Sequence, residues 1–392
     1  MARTMLTGNH AQSVAAKLAR VQVVAAYPIT PQTTIVEALA EMVARGDLRA
    51  EFLEVESEHS ALQACISAAA VGARTYTATS SQGLLLMHEL LHWASGLRVP
   101  IVMGVVNRAV APPWNIYADH SDTVSQRDTG WIQVYCESNQ EVLDTVLQAY
   151  RLAEDFRVML PAMVMEDAFY LSHTFEPVDV PPQDAVDDFL PTFEMPYALN
   201  VDRPARFGSF MAPDAYMEDR RNVADGMDAA ARVMADVERE FAERFGRDHG
   251  GPLALSDCEG ADAVLLTSST AAGTSRAVAA EMRAQGIPVG VAKLRVFRPW
   301  PVAAIRKLAA AVPRIAVLDR SFTFGFGGAL FQEVRNAVQS PRGGPLVRGY
   351  VAGIGGRDIL PATIRAIYED VLSKDEPDVS WVGLKEVTEW PA

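Results

Sequence analysis

Four groups of polar residues in the first third of the chain have the types needed to handle a small carboxylate-bearing molecule. Glu54, Glu56 and Glu58 follow one β-rich run, and a carboxyl among them, kept from water, would hold or share a proton. Thr30, within Tyr27-Pro28-Ile29-Thr30-Pro31-Gln32-Thr33, offers a hydroxyl and a backbone N–H near a helix start, between two prolines that restrict the backbone. The turn Thr79-Ser80-Ser81-Gln82-Gly83 presents hydroxyls and an amide. Asn107-Arg108 adds a guanidinium, whose planar fork suits a carboxylate. Each group also has a plainer use: Thr30 as a helix cap, Glu58 as a first-turn acid favoured by the helix dipole, Arg108 as a surface ion-pair partner.

What raises the chemical reading is the framework that carries these residues. β-rich runs at 22–27, 51–55, 75–79, 100–106, 131–135 and 161–165 alternate with helical stretches, the pattern of a parallel sheet. In such sheets ligands bind beyond the C-terminal ends of the strands. All four groups fall there, so they would gather on one sheet edge beside a small carboxylate-bearing substrate and a polar heterocycle. Among the helices, 60–71 is Ala-rich and able to approach a neighbour closely, and 139–154 is amphipathic with Asn139 as its expected cap.

Residues 176–195 hold six acidic residues, four prolines and no Lys, Arg or His, which predicts an extended surface segment. Apolar residues spaced by three or four from Val223 to Phe245 then predict a long arm or linker helix. A second α/β unit follows, with strands expected at 262–268, 288–294, 314–319 and 346–351. The expected organisation is an α/β chain of two doubly wound domains: 1–175, a linker with arm helix at 176–255, the second domain at 256–375, and a tail at 376–392.

Composition narrows the class. With 392 residues, 49% hydrophobic and 21% charged, the chain has ample core material for two domains. A net charge of −14 repels a phosphate backbone, which argues against nucleic acid as a partner. Cys65, Cys136 and Cys258 are too scattered to hold an iron–sulfur cluster. The first twelve residues lack the apolar core of a signal peptide, and no run reaches the roughly 18 apolar residues of a membrane span; a cytoplasmic location is the expectation.

The strings YPITPQT (27–33), VESEHSA (55–61), TATSSQGLLLMHE (77–89) and NRAVAPPWNIYADHSD (107–122) resemble the α subunit of 2-oxoacid:ferredoxin oxidoreductases, the pyruvate enzyme above all. RDTGWIQVY (127–135), FRPWP (297–301) and LDRS (318–321) extend the likeness over nearly the whole chain. The resemblance implies a pyrimidine-binding-type domain of a thiamine diphosphate enzyme, followed by a transketolase C-terminal-like domain. It implies Glu58 as the catalytic acid on the aminopyrimidine, Ile29, Ser81 and Gln82 as further cofactor contacts, and Thr30 and Arg108 as holders of the 2-oxoacid carboxylate. No Gly-Asp-Gly metal and diphosphate motif is present, so a β subunit would supply the diphosphate site with Mg2+. [4Fe-4S] clusters would lie on partner chains, among them a γ subunit and a ferredoxin-like δ subunit. The implied reaction is oxidative decarboxylation to acyl-coenzyme A and CO2, with electrons passed to ferredoxin. Family members acting on oxalate carry arginine where Thr30 stands, so Thr30 points to a monocarboxylic substrate such as pyruvate. The stretch 112–117, with Trp114 early and Tyr117 late, departs from the commoner family form and keeps a larger or aromatic 2-oxoacid such as phenylglyoxylate open.

Three other patterns compete for function. His88-Glu89-Leu90-Leu91-His92 has the spacing of a zinc peptidase helix. Against it, Ser95 stands where the longer pattern needs glycine, and a strand is expected from residue 100. The glycines at 325, 327 and 328 lie between a strand and a helix without the lysine of a nucleotide loop, which favours a tight turn. Asp119, His120 and Asp122 form a polar cluster without fixed ligand spacing, and no role is assigned to it.

Overall fold

The computed structural model describes residues 2–338, 343–376 and 378–385, in two compact units: Met1–Pro252 with Arg295–Pro301, and Leu253–Leu294 with Val302–Ala392. Each is an α/β unit built on a mainly parallel sheet, in keeping with the expected fold class.

The first unit holds a seven-stranded sheet in the spatial order Val296–Arg298, Ile132–Tyr135, Ala162–Asp167, Ile101–Asn107, Thr75–Thr79, Val23–Ala26, Glu51–Glu54. Every neighbouring pair is parallel except Val296–Arg298 with Ile132–Tyr135. Ile101–Asn107 and Ala162–Asp167 are buried along their whole length, which explains the apolar runs at 101–106 and 162–165: a strand covered on both faces has no polar side to show, and its polar residues come only at its C-terminal end. The Glu58–Ala70 helix begins at Ser57, whose hydroxyl accepts the N–H of Ser60 at 3.2 Å. Its small residues Ala61, Ala69 and Ala70 are buried, so its backbone lies close to its neighbours.

Several local expectations give way to longer-range contacts. Asn139 is not the cap of its helix; Ser138 caps Glu141 N at 3.2 Å, while Asn139 Nδ2 donates to Leu6 O at 2.9 Å and Thr174 O at 2.7 Å. Residues 176–195 are not simply extended: Glu176–Val180 pairs antiparallel with Ala2–Leu6, and Gln183–Phe189 is a helix that buries Val186 and Phe189. The expected arm helix, Tyr216–Phe245, lays Val223, Val233, Val237, Phe241 and Phe245 into the same core as Val142 and Val146. Residues 176–252, expected as linker, therefore belong to the first unit. So does 295–301, expected within the second domain.

Arg295 shows what holds that return segment. It is buried, with Nε 2.5 Å from Glu141 Oε1 and Nη1 2.6 Å from Glu238 Oε1, so one guanidinium joins the Asn139–Ala153 helix and the Tyr216–Phe245 helix to the residue that leads into the strand Val296–Arg298. The two carboxylates raise its pKa against the effect of burial.

The second unit has a six-stranded sheet ordered Val379–Trp381, Leu346–Val351, Arg314–Asp319, Ala263–Ser268, Val289–Leu294, Leu253–Ser256, parallel except for the last pair. Val379–Trp381 falls in the expected tail; residues 377 and 386–392 of that tail lie outside the described residues. The Gly-rich stretch leads into the Ala329–Val338 helix, and its donors are taken. Asp319 accepts Leu330 N at 2.7 Å and Phe331 N at 3.0 Å, and a Cβ on Gly328 would lie 2.0 Å from Asp319 Oδ2. Burial pushes that carboxyl up to about 7. A helix start already capped by a buried acid is not a phosphate cradle.

Replacing Arg295 by Ala leaves the buried Glu141 and the partly buried Glu238 without their cation, and loss of one partner of a buried pair costs about 3–5 kcal/mol. Denaturant unfolding of the isolated chain should show a clearly lowered midpoint for the first unit; an unchanged midpoint would contradict this account.

Candidate functional site

The sheet order sets Glu51–Glu54, Val23–Ala26, Thr75–Thr79 and Ile101–Asn107 side by side, and the four polar groups follow their C-terminal ends. The three glutamates separate by environment. Glu54 and Glu56 are exposed; Glu56 is bonded to the Ser60 hydroxyl, and its pKa is lowered by that bond. Glu58 opens the Ala-rich helix and is 6% exposed, and burial raises its pKa. Of the three, it alone is kept from water.

Gly83 makes room for that carboxyl. A Cβ there would stand 2.5 Å from Glu58 Oε1 and 2.5 Å from Thr79 Oγ1, so only glycine lets both approach the backbone. Thr79 Oγ1 and Gln82 Nε2 are buried without a hydrogen-bond partner, which native interiors rarely tolerate outside a binding site. The acid and the hydroxyl thus both lie against Gly83, and the amide donor belongs to the neighbouring residue of the same turn. That donor set fits a polar heterocycle with both donor and acceptor edges, such as an aminopyrimidine.

Arg108 and Thr30 come together. Arg108 is 5% exposed; its Nη1 donates to Thr30 O at 2.7 Å and its Nε to Asn115 O at 3.2 Å. Burial lowers its pKa, opposed by Asp122. Thr30 is exposed and precedes a cis Pro31. Its loop is anchored by Asn9 Nδ2, which donates to Pro31 O at 2.7 Å, and by Gln32 Nε2, which donates to Ala78 O at 2.9 Å. Ile29 is half-buried, with its N–H donated to Gln32 Oε1 at 3.2 Å. Ser81 adopts a positive φ of 47°, and its hydroxyl lies 2.5 Å from Ala109 O and 2.6 Å from Gln82 Oε1, sharing its one proton between them. Ser81 is therefore occupied in the turn itself, and Gln82 Nε2 is the donor left over.

The polar cluster at 119–122 is scaffolding for these loops. Asp119 Oδ1 accepts Ser121 N at 2.7 Å, and His120 Nε2 lies 2.7 Å from Asp167 Oδ1, both side chains buried. Asp122 is fully buried against the Ser81 turn and Arg108. Sequence reasoning named Gly83 within the polar turn and Asp122 within an unassigned cluster but missed what each does; nothing in the sequence told which carboxyl Gly83 would admit or which loops Asp122 would join.

The peptidase-like helix is put to other uses. It breaks at Met87 into Ser81–Leu86 and His88–Gly96. The rings of His88 and His92 meet edge to face at 5.1 Å, His88 Nδ1 lies 2.5 Å from Gln126 Oε1, and Glu89 is exposed. Among the described residues no three His, Cys, Asp or Glu side chains are grouped to hold a metal ion. Nor is any helix among them long and apolar enough to cross a membrane.

The chain resembles known proteins over nearly its whole length. Residues 14–239 match the family described as pyruvate flavodoxin/ferredoxin oxidoreductase, thiamine diphosphate-binding, and residues 261–364 match pyruvate:ferredoxin oxidoreductase core domain II. The chain is 47% identical over 389 residues to ketoisovalerate oxidoreductase subunit VorA of Pyrococcus abyssi, covering 98% of each. It is 48% identical over 385 residues to pyruvate synthase subunit PorA of Methanocaldococcus jannaschii, covering 97% of this chain and 98% of that one. A solved 2-oxoglutarate:ferredoxin oxidoreductase from Magnetococcus marinus shares the fold, with a TM-score of 0.73 at 18% identity over 95% of this chain; this chain spans 65% of that one. The chain belongs to the 2-oxoacid:ferredoxin oxidoreductase family, as an α subunit of a multi-subunit enzyme that oxidises 2-oxoacids.

Gly83→Ala puts a methyl group where the Glu58 carboxyl and Thr79 hydroxyl now sit. A misplacement of about 1 Å in such a group costs on the order of 100-fold in rate. The assembled enzyme should lose about that much kcat with its circular dichroism and subunit assembly unchanged; kcat within twofold of wild type would contradict the placement.

Proposed function

We propose that this chain forms the pyrimidine-side half of a thiamine diphosphate site in an enzyme that oxidatively decarboxylates a small monocarboxylic 2-oxoacid, pyruvate first, yielding acyl-coenzyme A, CO2 and reduced ferredoxin. The observation that carries the reading is the buried Glu58 carboxyl against Gly83 with the unpartnered Thr79 Oγ1, on a turn that also carries the unpartnered Gln82 Nε2. When bound, thiamine diphosphate supplies a nucleophilic carbon and the electron sink that decarboxylation needs.

This chain's residues then divide the work. Glu58 holds and shares a proton with a ring nitrogen of the pyrimidine, a task for which burial suits it by keeping the proton on to higher pH. Gln82 Nε2 and Thr79 Oγ1 orient the ring by hydrogen bonds, and Ile29 and the Ser81 turn border it. Arg108, held against the Thr30 carbonyl, pairs with the substrate carboxylate, and the Thr30 hydroxyl adds a hydrogen bond. The diphosphate and Mg2+ fall to a β subunit, and the [4Fe-4S] clusters to partner chains that include a γ subunit and a ferredoxin-like δ subunit.

A branched-chain 2-oxoacid is the second reading. Relatives named for ketoisovalerate and for pyruvate are equally similar to this chain, and neither substrate has a second carboxylate for an extra cation to hold. An aromatic 2-oxoacid draws support only from Trp114, which is exposed, and from Tyr117, stacked near Phe169 at 5.0 Å.

Two measurements test the reading. Steady-state kinetics of the complex across pyruvate, 3-methyl-2-oxobutanoate, phenylglyoxylate, oxalate and 2-oxoglutarate should give the highest kcat/KM with pyruvate; a dicarboxylate or aromatic preference would overturn the substrate assignment. Glu58→Gln should lower kcat at least about 100-fold with the complex intact. The sign of the pH effect follows from burial: a raised pKa keeps the proton on Glu58 above the usual carboxylate range, and it is lost as pH rises through that raised value. The matching limb of the wild-type kcat profile should therefore lie above that range and be absent from the residual activity of Glu58→Gln.

A further inference from the structure

The two loops that would hold cofactor and substrate share one buried acid. Asp122 Oδ2 accepts the backbone N–H of Ser81 at 3.0 Å and that of Arg108 at 3.0 Å, while Oδ1 accepts Asn107 Nδ2 at 2.8 Å and Thr123 N at 2.7 Å. Ser81 follows the strand Thr75–Thr79 and Arg108 follows its neighbour Ile101–Asn107, so a single carboxylate oxygen bridges two adjacent strand ends. Its own position is fixed from below: Thr123 Oγ1 lies 2.9 Å from Tyr135 Oη and accepts Asn107 Nδ2 at 2.8 Å, and Gln133 Nε2 donates to Thr123 O at 2.9 Å. Full burial of a carboxylate is costly unless donors surround it, as they do here.

We propose that Asp122 is a positioning residue that fixes the spacing between the Gln82 amide and the Arg108 guanidinium, and with it the distance between the cofactor ring and the substrate carboxylate. The inference rests on the roles given above to Gln82 and Arg108. Neither Ser81 nor Arg108 has another side chain accepting its backbone N–H among the bonds described, so loss of Asp122 removes the acceptor of both N–H groups at once and leaves the spacing of the two loops to side-chain contacts such as Ser81 Oγ with Ala109 O.

The test compares Asp122→Asn with Arg108→Lys in the assembled complex. The amide keeps the size of the acid but presents one acceptor oxygen in place of two and turns a donor toward donors. Asp122→Asn should raise the KM for the 2-oxoacid about tenfold and weaken thiamine diphosphate binding, measured by titration, about tenfold, because both loops move. Arg108→Lys should raise only the KM for the 2-oxoacid. A purely structural role predicts instead a lower melting temperature and a smaller active fraction with both constants at wild-type values, and that result overturns the proposal. If Arg108→Lys leaves the KM unchanged, the carboxylate-binding reading fails, and a weakened cofactor affinity in Asp122→Asn would still support its hold on the Ser81 turn. Should Asp122→Asn fail to assemble, Asn107→Ala, which removes one of the two donors to Oδ1 together with the bond to Thr123 Oγ1, should shift both constants in the same direction by about threefold; wild-type constants there would likewise overturn it.

Discussion

The arrangement depends on keeping one ionisable group out of water. A carboxyl buried without a cation beside it favours its neutral form, and no cation stands among the influences on Glu58; burial dominates and its own backbone N–H opposes it only in part. The local chain is built to permit this. Ser57 rather than Glu58 caps the helix, leaving the glutamate side chain free to turn inward. Small residues let that helix sit low against the sheet, and Gly83 removes the one Cβ that would occupy the carboxyl's place. A glutamate two residues earlier, at Glu56, faces solvent and is bonded to Ser60, and its pKa moves in the opposite direction.

The remaining polar groups are arranged about that acid by the order of the sheet. Parallel strands bring their C-terminal ends to one edge, and cross-links between successive loops convert that edge into a fixed surface: Gln32 to Ala78, Arg108 to Thr30, Asp122 to Ser81. Two of the unpartnered buried atoms, Thr79 Oγ1 and Gln82 Nε2, lie on this edge as well. A turn that leaves a hydroxyl against a buried acid, and an amide of the same turn, without partners offers groups that a ligand would complete. Membership in a family whose first domain is described as thiamine diphosphate-binding accords with that donor set.

Much of this was legible in the sequence because it rests on local pattern. Fully buried strands such as Ile101–Asn107 write themselves as unbroken apolar runs, and a site at strand ends follows from their order. What the sequence hid depends on contacts far along the chain. Ala2–Leu6 is a strand only because Glu176–Val180 pairs with it, and the prolines and acids of the latter read as a linker. Arg295–Pro301 joins the first unit through the ion pairs of Arg295 and an antiparallel bridge to Ile132–Tyr135, neither of which has a local signature. Ser138 displaced Asn139 as helix cap because Asn139 is drawn to Leu6 and Thr174. Asp122 gave no sign of its task, since a carboxylate that accepts backbone N–H groups from two distant loops looks like any other acid in a polar run.

The most direct measurement is an infrared titration of the purified complex, taking the difference between wild type and Glu58→Gln in the carboxylic acid C=O region as pH is raised. A dry Glu58 predicts a protonated-carboxyl band that persists above the ordinary glutamate range and disappears only at higher pH. A band lost at or below that range would mean that water reaches Glu58, and would contradict the account at its base.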